Sequence, residues 1–251
     1  MAEAGVVRAL VWDEHPPHAP KEIYPHSING AVAEGLRKFG DGAIEARTAN
    51  LDDPEQGITV EALANTDVLL WWGHMHHGKV LDETVTRVVD RVHNSGMGFI
   101  ALHSAHYSKT FQQVVGGPGH LKGGWREMDP PEQENLRVCA PWHPIAQGIE
   151  DFTLDHEEYY GAPFDVPPPL EVIFQSCFPY DGRTFPSGLT WTVGKGKTEG
   201  FTSGPGRGGG EGYGAARVFY FRPGHETIAT YYHPTVQKIL ANAVLWCAKR
   251  T

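Results

Sequence analysis

Short apolar runs separated by amphipathic stretches set the rhythm of the first hundred residues. Val6 to Trp12, Ile44 to Thr48, Val68 to Trp72 and Phe99 to Leu102 are strand-length and rich in Val, Ile, Leu and Trp. Between them, Ser27 to Phe39 and Asp82 to Asn94 carry helical periodicity, and in the second the apolar positions Val85, Val88, Val89 and Val92 recur at spacings of three and four. Strands alternating with helices predict a parallel sheet wrapped by crossover helices.

The middle of the chain breaks this rhythm. Gly116-Gly117-Pro118-Gly119 and Asp129-Pro130-Pro131 flank Leu121 to Met128, which reads as an excursion over the sheet. Further strands are expected at Leu136 to Cys139, Phe152 to Leu154, Val172 to Ser176, Leu189 to Val193 and Val218 to Phe221. A last amphipathic helix runs from Pro234 to Ala248, with Pro234 suited to a first helical turn. No repeat, heptad run or linker divides the chain, so 1–251 is expected to be one domain.

Composition removes several function classes. The 21 Lys and Arg against 30 Asp and Glu give a net charge of −9, and no basic run could track phosphates, so nucleic acid is not an expected partner. No apolar stretch approaches the ~20 residues of a membrane span, so no membrane partner is expected either. The start, Met1 to Gly5, has no export-signal pattern, and a cytoplasmic location is expected. Cys139, Cys177 and Cys247 are isolated, which fits neither a disulfide framework nor a thiolate zinc site.

The glycine-rich segment 194–214 holds two lookalikes. Gly204 to Gly209 matches G-x-G-x-x-G, but no strand precedes it and no helix follows. Gly194-Lys195-Gly196-Lys197-Thr198 resembles a phosphate loop, yet Trp191 stands where that motif needs glycine. The segment reads instead as a flexible hairpin, with a mobile cover for a site as the other reading.

Histidine carries the chemistry. The chain has 14 of them, and several fall where strands end: His74 and His77 after Trp72, His103 and His106 after Leu102, and His225 after Phe221 in Arg222-Pro223-Gly224-His225-Glu226. The carboxyl ends of parallel strands form the ligand crevice of an open α/β sheet, so these rings can share one site. Imidazole is both a common metal ligand and a proton carrier near neutral pH. Glu157 and Glu158, in Asp155-His156-Glu157-Glu158-Tyr159-Tyr160, supply carboxylates; alone they would read as a solvated acidic turn. A donor set of histidine and carboxylate without cysteine suits Zn²⁺ or another first-row divalent ion. The expected ligands are a subset of His74, His77, His103, His106, Glu158 and His225. Six donors exceed what a four-coordinate ion takes, so some must act as bases, substrate contacts or supports. Glu157, Glu158 and His103 are the expected proton carriers, and Tyr24, Trp72, Tyr107 and Tyr160 the expected walls of the pocket. A serine elbow at Ser104 lacks the G-x-S-x-G pattern.

Taken together, Trp71-Trp72-Gly73-His74, Leu102-His103-Ser104, His143-Pro144-Ile145, Glu157-Glu158-x-Tyr160, Tyr220-Phe221-x-Pro223-Gly224-His225-Glu226 and Asn242-Ala243-Val244-x-Trp246 resemble the trehalose-utilisation (ThuA-like) proteins over nearly the whole chain. The resemblance implies a class I glutamine-amidotransferase-like fold, a flavodoxin-like three-layer α/β/α sandwich with a mostly parallel sheet. It implies a carbohydrate ligand, such as a trehalose derivative. Amidotransferases carry a nucleophilic cysteine at the elbow, where this chain has His103-Ser104, so thiolate hydrolysis of glutamine is not expected. Three readings stay open at this point: a metal-dependent hydrolase, lyase or isomerase acting on a sugar or keto-sugar, a sugar-binding module without catalysis, and a metal-free acid/base enzyme. The apolar last helix and the aromatic content permit a homo-oligomer.

Overall fold

The computed structural model describes residues 5–195 and 215–250. Its strands are β1 (Val7–Asp13), β2 (Ile44–Asn50), β3 (Val68–Trp72), β4 (Gly98–Leu102), β5 (His120–Leu121), β6 (Trp125–Arg126), β7 (Glu132–Val138), β8 (Phe152–Glu157), β9 (Tyr159–Tyr160), β10 (Phe164–Asp165), β11 (Glu171–Phe178), β12 (Arg183–Val193) and β13 (Ala216–Phe221). The helices are α1 (Ser27–Phe39), α2 (Val60–Ala64), α3 (Asp82–Ser95), α4 (Lys109–Val115) and α5 (Pro234–Cys247). Nine strands form one sheet in the order β2-β1-β3-β4-β13-β12-β11-β7-β8. The first five are mutually parallel, and the rest extend the sheet in antiparallel fashion, so seven of the nine run in one direction.

Strand β3 shows why the parallel half reads as unbroken apolar runs. All five of its residues are fully buried, because helices cover both faces of the sheet. Alternation sends Val68, Leu70 and Trp72 to the face covered by α1 and α5, and Leu69 and Trp71 to the face covered by α3 and α4. On the second face Trp71 stacks on Trp12 of β1 with ring centres 3.8 Å apart. Val85, Val88 and Val92 of α3 are buried there, and the helix ends at Gly96, whose φ of 74° is cheap only for glycine. Pro234 opens α5, where the missing N–H costs nothing.

The predicted elements appear with ends shifted by a few residues in the parallel half. In the antiparallel half the strands are longer than expected, notably β7, which starts at Glu132, and β12, which starts at Arg183. Glu157 closes β8 rather than sitting on a solvated turn beyond it. The excursion after Gly119 folds into two small antiparallel ribbons, β5 with β10 and β6 with β9. Both glycine-rich lookalikes fall outside the described residues, apart from Gly194 and Lys195 at their edge.

Candidate functional site

Strands β3, β4 and β13 are adjacent and parallel, so their carboxyl ends open at one place. The segments leaving them carry His74, His103 and His225. Their ring centres are 5.2 Å apart for His74–His103, 5.1 Å for His74–His225 and 5.5 Å for His103–His225, each pair edge to face. Glu226 joins them, and one potential ligand atom from each of the four residues lies within 4.8 Å of the others. Sequence spacing did not single out Glu226, although it is His225's neighbour.

Each ring is fixed by something specific. His103 is fully buried with a φ of 54°, the left-handed region that β-carbons avoid, and so projects from the sharp turn after β4. Trp72 stacks on it at 6.1 Å and 11°, while the indole N–H of Trp72 donates to the Gly224 carbonyl at 3.0 Å. His74 donates from Nδ1 to Glu226 at 2.7 Å, and His18, from the loop after β1, donates to the same carboxylate. His18 was not anticipated, since nothing in the sequence marks where that loop returns. Glu14 accepts from the backbone N–H groups of Met75 and His76, at 2.5 and 2.9 Å, and so holds the turn after β3.

Electrostatics differ from ring to ring. Burial, reinforced by His74 and His225, holds the His103 ring well below its usual pKa. Burial likewise lowers His225. His74 goes the other way, because the Glu226 carboxylate outweighs burial and raises it. Glu226 is correspondingly held down to about 2, burial notwithstanding, by its hydrogen bond from His74 and the charge of His225. Burial pushes the Glu158 carboxyl up to about 8, against the pull of His74 and Arg222. Its Oε2 lies 3.4 Å from His103 Nε2 and is buried without a hydrogen bond.

Of the expected residues, the structure brings together His74, His103, His225 and Glu158, with Trp72 and Tyr160 against them. The Tyr160 hydroxyl bonds the Ser104 hydroxyl and lies 3.4 Å from either ring nitrogen of His103. His77 and His106 stand outside the four-residue group. The His77 ring packs beside Gly73, where an added Cβ would come within 3.1 Å of it. His106 donates from Nδ1 to the Gly119 carbonyl at 2.6 Å, which commits it to anchoring the excursion. Glu157 is likewise committed: it accepts from Gly224 N–H at 2.9 Å, Thr230 hydroxyl at 2.5 Å and Glu158 N–H at 3.1 Å. Tyr24 is buried behind the site, where it donates to the Ile228 carbonyl at 2.5 Å. Tyr107 is 44% exposed and stacks flat on His120 at 5.4 Å.

Below the histidines lies a buried ion cluster that the sequence did not disclose. Arg222, fully buried, donates to the Glu134 carboxylate and to the Glu158 carbonyl, and lies 3.8 Å from Glu157. It ties β13 to β7 and to the β8–β9 turn, so the loops bearing His225 and Glu158 share one anchor. Two surface clefts, one lined by Asn135–Arg137 with Asp151–Thr153 and one by Phe39, Gly148–Phe152, Pro234, Thr235 and Lys238, contain none of these histidines. The histidine group lies at the strand ends, away from those clefts.

Comparison with known proteins finds similar solved structures. A ThuA-like protein from Parabacteroides merdae is similar over 98% of this chain and 91% of its own, with 14% identity and a TM-score of 0.64. A GMP synthase protein from Thermoplasma acidophilum is similar at 13% identity, with 98% and 96% coverage and a TM-score of 0.49. The glutaminase domain of a Trypanosoma brucei CTPS is similar at 9% identity, with 98% and 95% coverage and a TM-score of 0.44. No curated protein matches the chain significantly. No helix among the described residues is long and apolar enough to cross a membrane. The sequence model of the ThuA family, described as trehalose utilisation, matches residues 8–247, and the chain belongs to that family.

Proposed function

We propose that the chain is a divalent-metal-dependent enzyme acting on a sugar, with zinc the first choice of ion. The observation that carries the reading is the convergence of three imidazoles and one carboxylate at the ends of three adjacent strands. Three imidazoles sharing one tetrahedral ion at about 2.1 Å have ring centres about 5 Å apart, which is the spacing found here. The lowered basicity of His103 and His225 favours the neutral ring that binds metal. The Glu158 Oε2 is a buried polar atom without a hydrogen bond, 3.4 Å from His103 Nε2, and so faces the same space.

His74, His103 and His225 would hold the ion. Glu226 takes Nδ1 of His74 and leaves that ring's Nε2 free, so it orients the ligand and raises its basicity from behind. A bound ion would supply Lewis-acid polarisation of a substrate carbonyl or hydroxyl oxygen. Glu158 is the proton carrier of choice, because burial leaves its carboxyl protonated at neutral pH and so able to donate as well as accept. Tyr160, buried beside His103, packs against that ring and would hold it in place from behind. The family description supports a carbohydrate substrate, which would be a keto-sugar or disaccharide derivative.

Metal analysis of untagged protein after zinc loading and dialysis tests the reading. About one equivalent per chain is expected, lost in His103→Ala and His225→Ala and kept in His77→Ala. Proton NMR with 3-keto-disaccharides and their parent sugars should then show turnover that chelation abolishes and zinc restores. Less than about a tenth of an equivalent of metal would sink the proposal. Metal and sugar binding without turnover would instead support a sensing module.

A further inference from the structure

Each of the three rings has its Nδ1 bonded within the protein, but the partners differ in kind. His74 Nδ1 lies 2.7 and 2.9 Å from the two Glu226 oxygens, and His103 Nδ1 lies 3.3 Å from the Arg222 carbonyl. A carboxylate and a carbonyl only accept, so both rings carry hydrogen on Nδ1. In the neutral ring Nε2 is then a free lone pair, the form in which a histidine ligates metal while its other nitrogen donates to the protein.

His225 is different. Its Nδ1 lies 2.8 Å from the Thr227 hydroxyl and also receives the Thr227 backbone N–H at 3.3 Å. Its Nε2 lies on the side of the histidine group, 3.8 Å from the Glu226 oxygen that His74 also meets. An amide N–H can only donate, whereas a hydroxyl donates or accepts. Facing the amide, Nδ1 accepts, which leaves the hydrogen of the neutral ring on Nε2 and closes that nitrogen to an ion. Among the described residues, the acceptor within bonding distance of Nδ1 is the Thr227 hydroxyl. Backbone geometry keeps it there: Ile228 N–H donates to the His225 carbonyl at 3.0 Å, closing a turn with Thr227 at its third position, and Tyr24 donates to the Ile228 carbonyl at 2.5 Å. Thr227 is otherwise exposed, so no packing accounts for the hydroxyl.

We infer that Thr227 is the positioning residue of the His225 ligand: its hydroxyl turns to accept the Nδ1 hydrogen and so frees Nε2 for the ion. The change is balanced, since the hydrogen that leaves Nε2 for solvent is matched by one taken up at Nδ1. Glu226, the Arg222 carbonyl and Thr227 then play the same part for the three rings, each holding Nδ1–H while Nε2 faces the shared space. The inference rests on the metal reading above and goes beyond it in assigning the metal-facing nitrogen of each ring and the residue that decides the third.

Competition titration of zinc into the untagged full chain tests it. Thr227→Val keeps the branched shape and the amide N–H but loses the hydroxyl, and Thr227→Ser keeps the hydroxyl. Thr227→Val should bind zinc about ten- to hundredfold more weakly, and Thr227→Ser within about threefold of wild type. Nitrogen NMR of the imidazoles gives a second reading on the wild type, which stands whatever the variants do to the turn. Zinc loading should move the His225 hydrogen from Nε2 to Nδ1, while His74 and His103 keep theirs on Nδ1. Wild-type affinity in Thr227→Val, a loss in Thr227→Ser as large as in Thr227→Val, or a His225 hydrogen that does not move on loading overturns the inference and leaves the metal reading standing. A wild type that takes up less than about a tenth of an equivalent of zinc overturns both.

Discussion

His103 combines a left-handed backbone, complete burial and a ring pressed between Trp72 and Tyr160. A β-carbon in that region costs about 1–2 kcal/mol, which a glycine would avoid. The strained turn aims the imidazole at His74 and His225. Replacing it separates the two effects. Both His103→Ala and His103→Gly should lose zinc, but the metal-free glycine variant should be about 1 kcal/mol more stable than the alanine variant. Urea unfolding of the two metal-free proteins checks this; a more stable alanine variant would show that the turn is not strained. Strand-end placement made His74, His103 and His225 visible in the sequence. It could not separate them from His77 and His106, because two residues of spacing fix which turn a ring sits on and not which way the turn faces. That direction depends on long-range partners, Gly119 for His106 and Glu226 for His74.

At the scale of elements, the site is a meeting of loops held by buried charge. Glu157 ends β8 and receives donors from Gly224, Thr230 and Glu158, so one carboxylate fixes both the His225 loop and the Glu158 turn. Glu157→Gln places an amide N–H₂ among donors and leaves at least one of them unpaired. Global stability should fall by about 1–3 kcal/mol, and zinc affinity about tenfold or more, because the ligand loop loses its anchor. A metal titration alongside urea unfolding tests the pair of effects; lost stability with unchanged affinity would make Glu157 a support of the fold alone. The elements of the parallel half were legible because strands buried on both faces must be apolar throughout. The antiparallel half was less so. Strand β7 reads Glu-Gln-Glu-Asn-Leu-Arg-Val, and its buried Glu134 makes sense only once Arg222, 88 residues away, is seen to face it. Pattern reading assigns such charges to solvent, since it has no access to a partner that distant.

For the whole molecule, unfolding adds up every group whose proton affinity changes with folding. Buried His106 is held down to about 3, chiefly by burial, against about 6.5 in the unfolded chain. A lowered histidine contributes stability that is complete above the unfolded value. As the pH falls below that value, the unfolded chain takes up a proton that the folded chain refuses, and the contribution drains away until the folded value is reached. Buried Glu134 and Glu158, pushed up to about 7 and about 8, act oppositely: their contribution is complete below the unfolded carboxylate value and is lost as the pH rises through the folded values. The two sets compete between about pH 4.5 and 6.5, so the wild-type curve alone cannot apportion them. His106→Gln isolates one member, because the amide can still donate to Gly119 but does not titrate. Between pH 6 and 4.5 the wild type should lose stability relative to His106→Gln by about 1.4 kcal/mol per pH unit, whatever the carboxylates contribute to both. Urea midpoints of the two proteins at several pH values measure that difference. Curves that stay parallel would mean His106 accepts its proton in the folded state, and that its ring is not sealed by the Gly119 bond.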